Sequence, residues 1–78
     1  MRFIYTATRE SDDWRLHLLN RGTEYEPWTI CWNYDEKHKC WDWGIYVNSL
    51  SEALLIFIEK YVYYGFNSVV EGYAERQN

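Results

Sequence analysis

Between residues 2 and 47 apolar side chains recur at every second position, a period that a pleated strand satisfies and a helix does not. Residues 2–9 carry Phe3, Tyr5 and Ala7 on one face. Residues 14–20 place Trp14, Leu16 and Leu18 together, with Arg15 and His17 opposite. Ser11, Asp12 and Asp13 separate the two runs as a turn, and Asn20 to Thr23 form the next turn, with Gly22 free to take positive φ. Residues 28–34 put Trp28, Ile30, Trp32 and Tyr34 on one face against Thr29, Cys31 and Asn33. Residues 39–47 do the same with Trp41, Trp43, Ile45 and Val47.

The polar segment from Asp35 to His38 is short enough for a hairpin loop. With Tyr34 opposite Lys39, Trp32 faces Trp41, Ile30 faces Trp43 and Trp28 faces Ile45, so both alternations agree in phase. Aromatic and β-branched cross-strand pairs of this kind contribute about 0.2–1 kcal/mol each.

A helix over 50–64 follows. Ser49, Leu50, Ser51 and Glu52 match a capping box. Leu50, Leu54, Phe57, Ile58 and Tyr61 recur at helical spacing, Glu52, Glu59 and Lys60 point outward, and Gly65 stops the helix. Leu55 and Val62 widen the apolar stripe, so the helix is expected to be well buried against the sheet. For the tail, paired Val69 and Val70 after a short link favour a last strand at 68–75 over a second short helix. The expected fold is α+β: an antiparallel sheet of four or five strands (2–9, 14–20, 28–34, 39–47, with 68–75 as the fifth) and one helix on one face.

Composition bounds the function classes. Seventy-eight residues make one domain, close to the size below which a single core needs staples. The chain opens at Met1 on a strand-like run and its longest apolar stretch is Ala53 to Ile58. A soluble, cytoplasmic protein is therefore expected, without secretory signal or membrane span. Net charge is −4, and the eight basic residues are scattered, so no stripe exists to neutralise adjacent phosphates. Direct nucleic-acid binding is disfavoured, and an acidic surface suits a basic partner.

Motifs for catalysis are missing: no Gly-rich phosphate loop, no nucleophile elbow, and no histidine at a recognisable spacing from a serine or cysteine. Cys31, His38, Cys40 and Asp42 share one parity, but their spacing lacks the paired short intervals of structural zinc sites. Cys31 and Cys40 fall on diagonal positions, too far apart for an unstrained bridge; a register slip of two residues would set them opposite and allow a disulfide, but free thiols are expected. Neither an enzyme nor a cofactor or metal protein is expected.

What stands out is five Trp, eight Tyr and three Phe. Each ring buries about 150–250 Å² when covered, so sixteen of them overfill one core, and Trp and Tyr are enriched at binding hot spots. With the tryptophan face under the helix, the opposite face would show Arg15, His17, Leu19, Thr29, Cys31, Asn33, Asp42 and Tyr46, with Ile4 nearby, as an open contact surface. The expected contacts are carboxylates beside rings: Asp12 and Asp13, then Asp35 and Glu36 beside Tyr34 and Tyr46, then Glu24, Tyr25 and Glu26. Such pairs can take an arginine by ion pairing and ring packing together.

In composition, size and charge the chain resembles the small phage-encoded inhibitors of bacterial defence, such as anti-CRISPR and anti-restriction proteins. That resemblance carries over no residues. It implies host-defence evasion in the bacterial cytoplasm by occluding the basic surface of a larger protein or nucleoprotein. The alternative is an immunity, antitoxin or accessory protein that homodimerises through exposed aromatics.

Overall fold

The computed structural model describes residues 1–76. Five strands, β1 (Arg2–Arg9), β2 (Trp14–Asn20), β3 (Trp28–Trp32), β4 (Trp43–Val47) and β5 (Ser68–Glu71), form one sheet in the order β4-β3-β2-β1-β5. Every neighbouring pair is antiparallel. The single helix α1 (Leu50–Tyr63) carries the chain from one edge strand to the other. The expected α+β architecture is the observed one, with the tail as a strand, although that strand stops at Glu71 where Gly72 takes φ +79°.

Local chemistry sets the helix ends. Ser49 is extended, and its side chain accepts from the Glu52 backbone N–H at 3.2 Å. At the other end Gly65 turns left-handed at φ +74°, Phe66 N–H donates to Tyr61 O at 3.0 Å and Gly65 N–H to Val62 O at 3.2 Å. The Tyr61 and Phe66 rings stack at 6.3 Å across this turn. These are the two reverse hydrogen bonds and the apolar contact of a Schellman stop.

The core between α1 and the sheet holds Ala7, Leu16, Leu18, Ile30, Trp32, Val47, Ala53, Phe57 and Phe66. Register differs from expectation by two residues: Trp32 pairs with Trp43, Ile30 with Ile45 and Trp28 with Val47. Asn33 is the cause. It adopts φ +53°, its Oδ1 accepts from Arg15 N–H and its own N–H donates to Arg15 O, both at 3.0 Å. The side-chain amide thus stands in for the next peptide of the ladder, and β3 ends at Trp32 rather than at residue 34. β4 begins at Trp43 rather than at residue 39, and the intervening loop is closed by an Asp35–Cys40 bridge with Lys39 at φ +54°.

That break moves side chains across the sheet, because a change of parity switches faces. Tyr34 and Trp41 leave the tryptophan face and sit on the opposite side. A bulge between Phe3 and Tyr5 sends Phe3 there too, while Tyr5 and Ala7 stay under the helix.

The opposite face is therefore a second core, not an open surface. Arg15, His17, Leu19, Thr29, Cys31 and Asn33 are all buried. Tyr73, in the chain after β5, packs on Phe3 at 4.8 Å and on His17 and Tyr34 at 5.7 Å. Thr6 ties that segment down: its hydroxyl donates to Gly72 O at 2.8 Å and accepts from Ala74 N–H at 3.1 Å. Arg15 donates to Glu75 O at 3.1 Å and pairs with Asp13. Aromatic excess is largely accounted for by two cores, one on each side of a single sheet.

Candidate functional site

Six rings are left substantially exposed: Trp14, Tyr25, Trp43, Tyr46, Tyr63 and Tyr64. Three of them gather at one end of the sheet. Trp14 opens β2, Trp43 opens β4, and Tyr64 caps the C-terminus of α1, around the buried Trp32 at the end of β3. Trp43 meets Trp32 at 4.8 Å and 62°, and Tyr64 meets it at 5.7 Å and 88°. With Trp14, Arg9 and Asp42 these rings line a recess of about 420 Å³, within the size range of side-chain and small-ligand pockets.

One carboxylate, Asp42, and one guanidinium, Arg9, line the recess among the rings. Ring faces are the negative pole of the aromatic quadrupole, and the end of α1 contributes its partial negative charge. Asp42 Oδ2 accepts from Asn33 at 3.3 Å and forms no ion pair among the described residues. Arg9, the cation lining the recess, is already engaged. It donates to both Asp12 oxygens at 3.0 and 2.7 Å and to Tyr64 O at 2.8 Å, and lies 5.5 Å from the Trp14 ring centroid. The bidentate hydrogen bond raises the Arg9 pKa and lowers that of Asp12.

Asp42 also forms one wall of a second, more polar cavity of about 340 Å³, with Asn33, Tyr34, Asp35, Glu36, Lys37, Tyr73, Glu75 and Arg76 around it. Four carboxylates face two cations there. Asp35 organises the loop: it accepts from the backbone N–H of Lys37 and His38 at 3.0 and 3.3 Å and from His38 Nδ1 at 2.6 Å. The His38 hydrogen bond, foremost, holds the Asp35 carboxyl below its usual range. Glu36 is exposed.

The nine expected contact residues divide. Asp12, Asp13, Asp35 and Glu36 lie at the end of the sheet that holds the recess. Glu24, Tyr25 and Glu26 lie in the β2–β3 loop at the other end, exposed, with Glu26 N–H donating to Asn48 at 2.8 Å. Tyr34 is buried and reaches the surface only as part of the wall of the acidic cavity. Tyr46 accepts from Trp41 Nε1 at 2.8 Å, and Arg21 sits over its ring at 4.6 Å. Asp12 and Asp13 are each paired with an arginine.

Trp14, Trp43 and Tyr64 were missed as contacts by sequence reasoning, whereas Asp42 was expected on the open face. Trp14 and Trp43 sat on the expected core face, and only the position of the helix C-terminus shows that they lie beyond its cover. One signal was available for Trp14 alone: it falls at the first residue of its expected strand, where a core-facing parity runs past the layer above.

Other chemistry is limited by burial. Cys31 and His17 are direct partners across β2 and β3. Burial pushes the Cys31 thiol up to about 12, while burial and the Arg15 charge push His17 down to about 4. Both shifts favour neutral forms, the reverse of an activated thiolate–imidazolium pair. Both cysteines are free, Cys40 on the surface. Among the described residues no three His, Cys, Asp or Glu converge as a metal site, and no helix is long and apolar enough to cross a membrane.

Comparison with protein-family models, curated proteins and solved structures finds no match. The chain's function has to be argued from its own geometry.

A second exposed feature lies on α1. Leu55 is 71 %, Ile58 56 % and Val62 72 % exposed, an aliphatic line on the side of the helix away from the sheet. The expected deep burial of this helix holds for Ala53 and Phe57 only, because a single sheet covers a single side.

Proposed function

We propose that this chain is a small non-catalytic binding module that engages a basic segment of a larger protein with the end of the sheet built by Trp14, Asp42, Trp43 and Tyr64. The observation that carries this reading is the shared wall: Asp42 lines both the aromatic recess and the acidic groove. Rings at the centre of a contact supply packing area and carboxylates around them supply charge selection, the usual division between interface core and rim. In its sharper form the module works by occlusion, covering a basic channel or surface in the manner of phage-encoded inhibitors of host defence. Its size and acidity support that form.

The test compares capture from bacterial lysate by the wild type, Glu36→Lys and Leu55→Glu. A partner held by wild type and Leu55→Glu, and released by Glu36→Lys, supports the reading. Equal capture by all three contradicts it.

The line of Leu55, Ile58 and Val62 favours a second reading, self-association through α1. An antiparallel pairing would set Leu55 of one copy near Val62 of the other. Sedimentation equilibrium decides it: a dimer that Leu55→Glu dissociates supports this reading, and a monomer at all concentrations ends it.

A further inference from the structure

Within the reading just given, we infer that the recess between Trp14, Trp43 and Tyr64 is a socket for an arginine side chain of the partner. Three observations converge on a cation. The walls are rings, with Trp43 and Tyr64 set at 62° and 88° to the Trp32 floor, so a group entering between them meets aromatic surface on several sides. Tyr64, the C-cap of α1, lines the recess, and its carbonyl already accepts from Arg9, so this helix end favours positive charge. Asp42, at the rim, has no cationic partner among the described residues.

The fold already uses this surface in the same way. Arg9 lies against Trp14 at 5.5 Å, and its charge is matched by Asp12. It is fixed as part of the wall, and its pair with Asp12 leaves the Asp42 charge uncompensated. Among the described residues no cation lies over the Trp43 or Tyr64 ring, and these remain for a second cation.

A guanidinium fits better than an ammonium or its methylated forms. It is planar, slides between rings, and presents a fork of N–H donors that a carboxylate takes bidentately. A trimethylated ammonium would use the rings and leave Asp42 without a donor, the partly methylated forms keep fewer donors and no fork, and a bare ammonium is more strongly hydrated. The adjoining groove, with Asp35, Glu36 and Glu75, suits further basic residues on the same segment.

The test is an NMR titration of the ¹⁵N-labelled protein, whose five indole N–H signals report on five tryptophans separately. The probe is a capped glycine peptide with one central arginine. Its citrulline, lysine and trimethyllysine counterparts are run in parallel. Expected are saturable shifts at Trp14, Trp32 and Trp43 with the arginine peptide, weaker ones with lysine, and none with citrulline. Trp43→Ala should weaken binding about tenfold, and Asp42→Asn should reduce the preference for arginine over citrulline. Trp43→Phe, which keeps a ring, should retain most of the affinity and serves if Trp43→Ala does not fold.

Citrulline matching arginine, shifts confined to Trp28 and Trp41, or no shift at all would each overturn the socket. Trimethyllysine exceeding arginine would overturn the choice of guanidinium. These failures are separable from failure of the module itself: a partner still released by Glu36→Lys but indifferent to Trp43→Ala leaves the binding reading intact without the socket.

Discussion

Lowering the pH from 7 to 4.5 acts on one group in the second core. His17 is 1 % exposed, ringed by Phe3, Tyr34 and Tyr73, with its Nδ1 3.0 Å from Thr6 Oγ1. The Thr6 hydroxyl gives its one proton to Gly72 O, so Nδ1 carries a proton and donates to Thr6, which assigns the neutral tautomer. Charging the ring would put a second proton on Nε2, and no carboxylate bonds the imidazole among the described residues. Its folded pKa falls from 6.5 to about 4, through burial first and the Arg15 charge second.

The unfolded chain therefore binds a proton below pH 6.5 that the folded chain refuses until about pH 4. Stability is fully present above 6.5 and is lost as pH falls toward 4. The shift corresponds to roughly 3 kcal/mol in total, of which about 2.5 kcal/mol is gone by pH 4.5. Urea unfolding of the wild type and His17→Phe at both pH values measures it. Phenylalanine keeps the ring contacts, and Thr6 keeps its bonds to Gly72 and Ala74. The wild type should lose about 2.5 kcal/mol more than the variant between the two pH values. Equal losses would refute the reasoning, since His17 would then charge without cost in the folded state.

Thr6→Val removes the hydroxyl that holds Gly72 and Ala74, leaving Ala74 N–H and His17 without that partner; a loss of about 2–3 kcal/mol and faster exchange of the Ala74 amide are expected. Gly65→Ala forces a Cβ into φ +74° and should cost about 1–2 kcal/mol in thermal unfolding, with Gly65→Asn milder. Asp35→Lys should lower the melting temperature, because Asp35 holds the loop through Lys37 and His38, whereas Glu36→Lys should leave it unchanged; binding should weaken in both. Partner affinity should fall as salt rises, read by titration at low and physiological ionic strength.

The helix and the strand phases, apart from Phe3 beyond its bulge and Tyr34 and Trp41 beyond the hairpin break, were legible because each follows from a local period or cap. Trp14, Leu16 and Leu18 share a face in the structure as in the pattern, and Ser49 and Gly65 end the helix where their chemistry says. The hairpin register was not legible. The expected pairing of Trp32 with Trp41 kept the alternation intact through residue 34, but Asn33 in a left-handed conformation ends it with a side-chain amide that bonds like a peptide. Nothing in the period marks that substitution. Burial of the second face was not legible either, since Tyr73 reaches His17 and Phe3 only through the long-range fold. The candidate site suffered from both: Tyr34 moved inward, and Trp43, taken for core, moved to the rim beside Asp42. The acidic half of the surface, Asp35 and Glu36, was visible because a short polar loop between strands is exposed whatever the register.

Site-specific photo-crosslinking in bacterial cells tests the binding face most directly, with a benzophenone side chain placed in turn at Tyr64, Tyr25 and Leu55. The account predicts a cross-linked protein adduct from position 64 and none from positions 25 and 55. Adducts from 25 or 55, with none from 64, would contradict it.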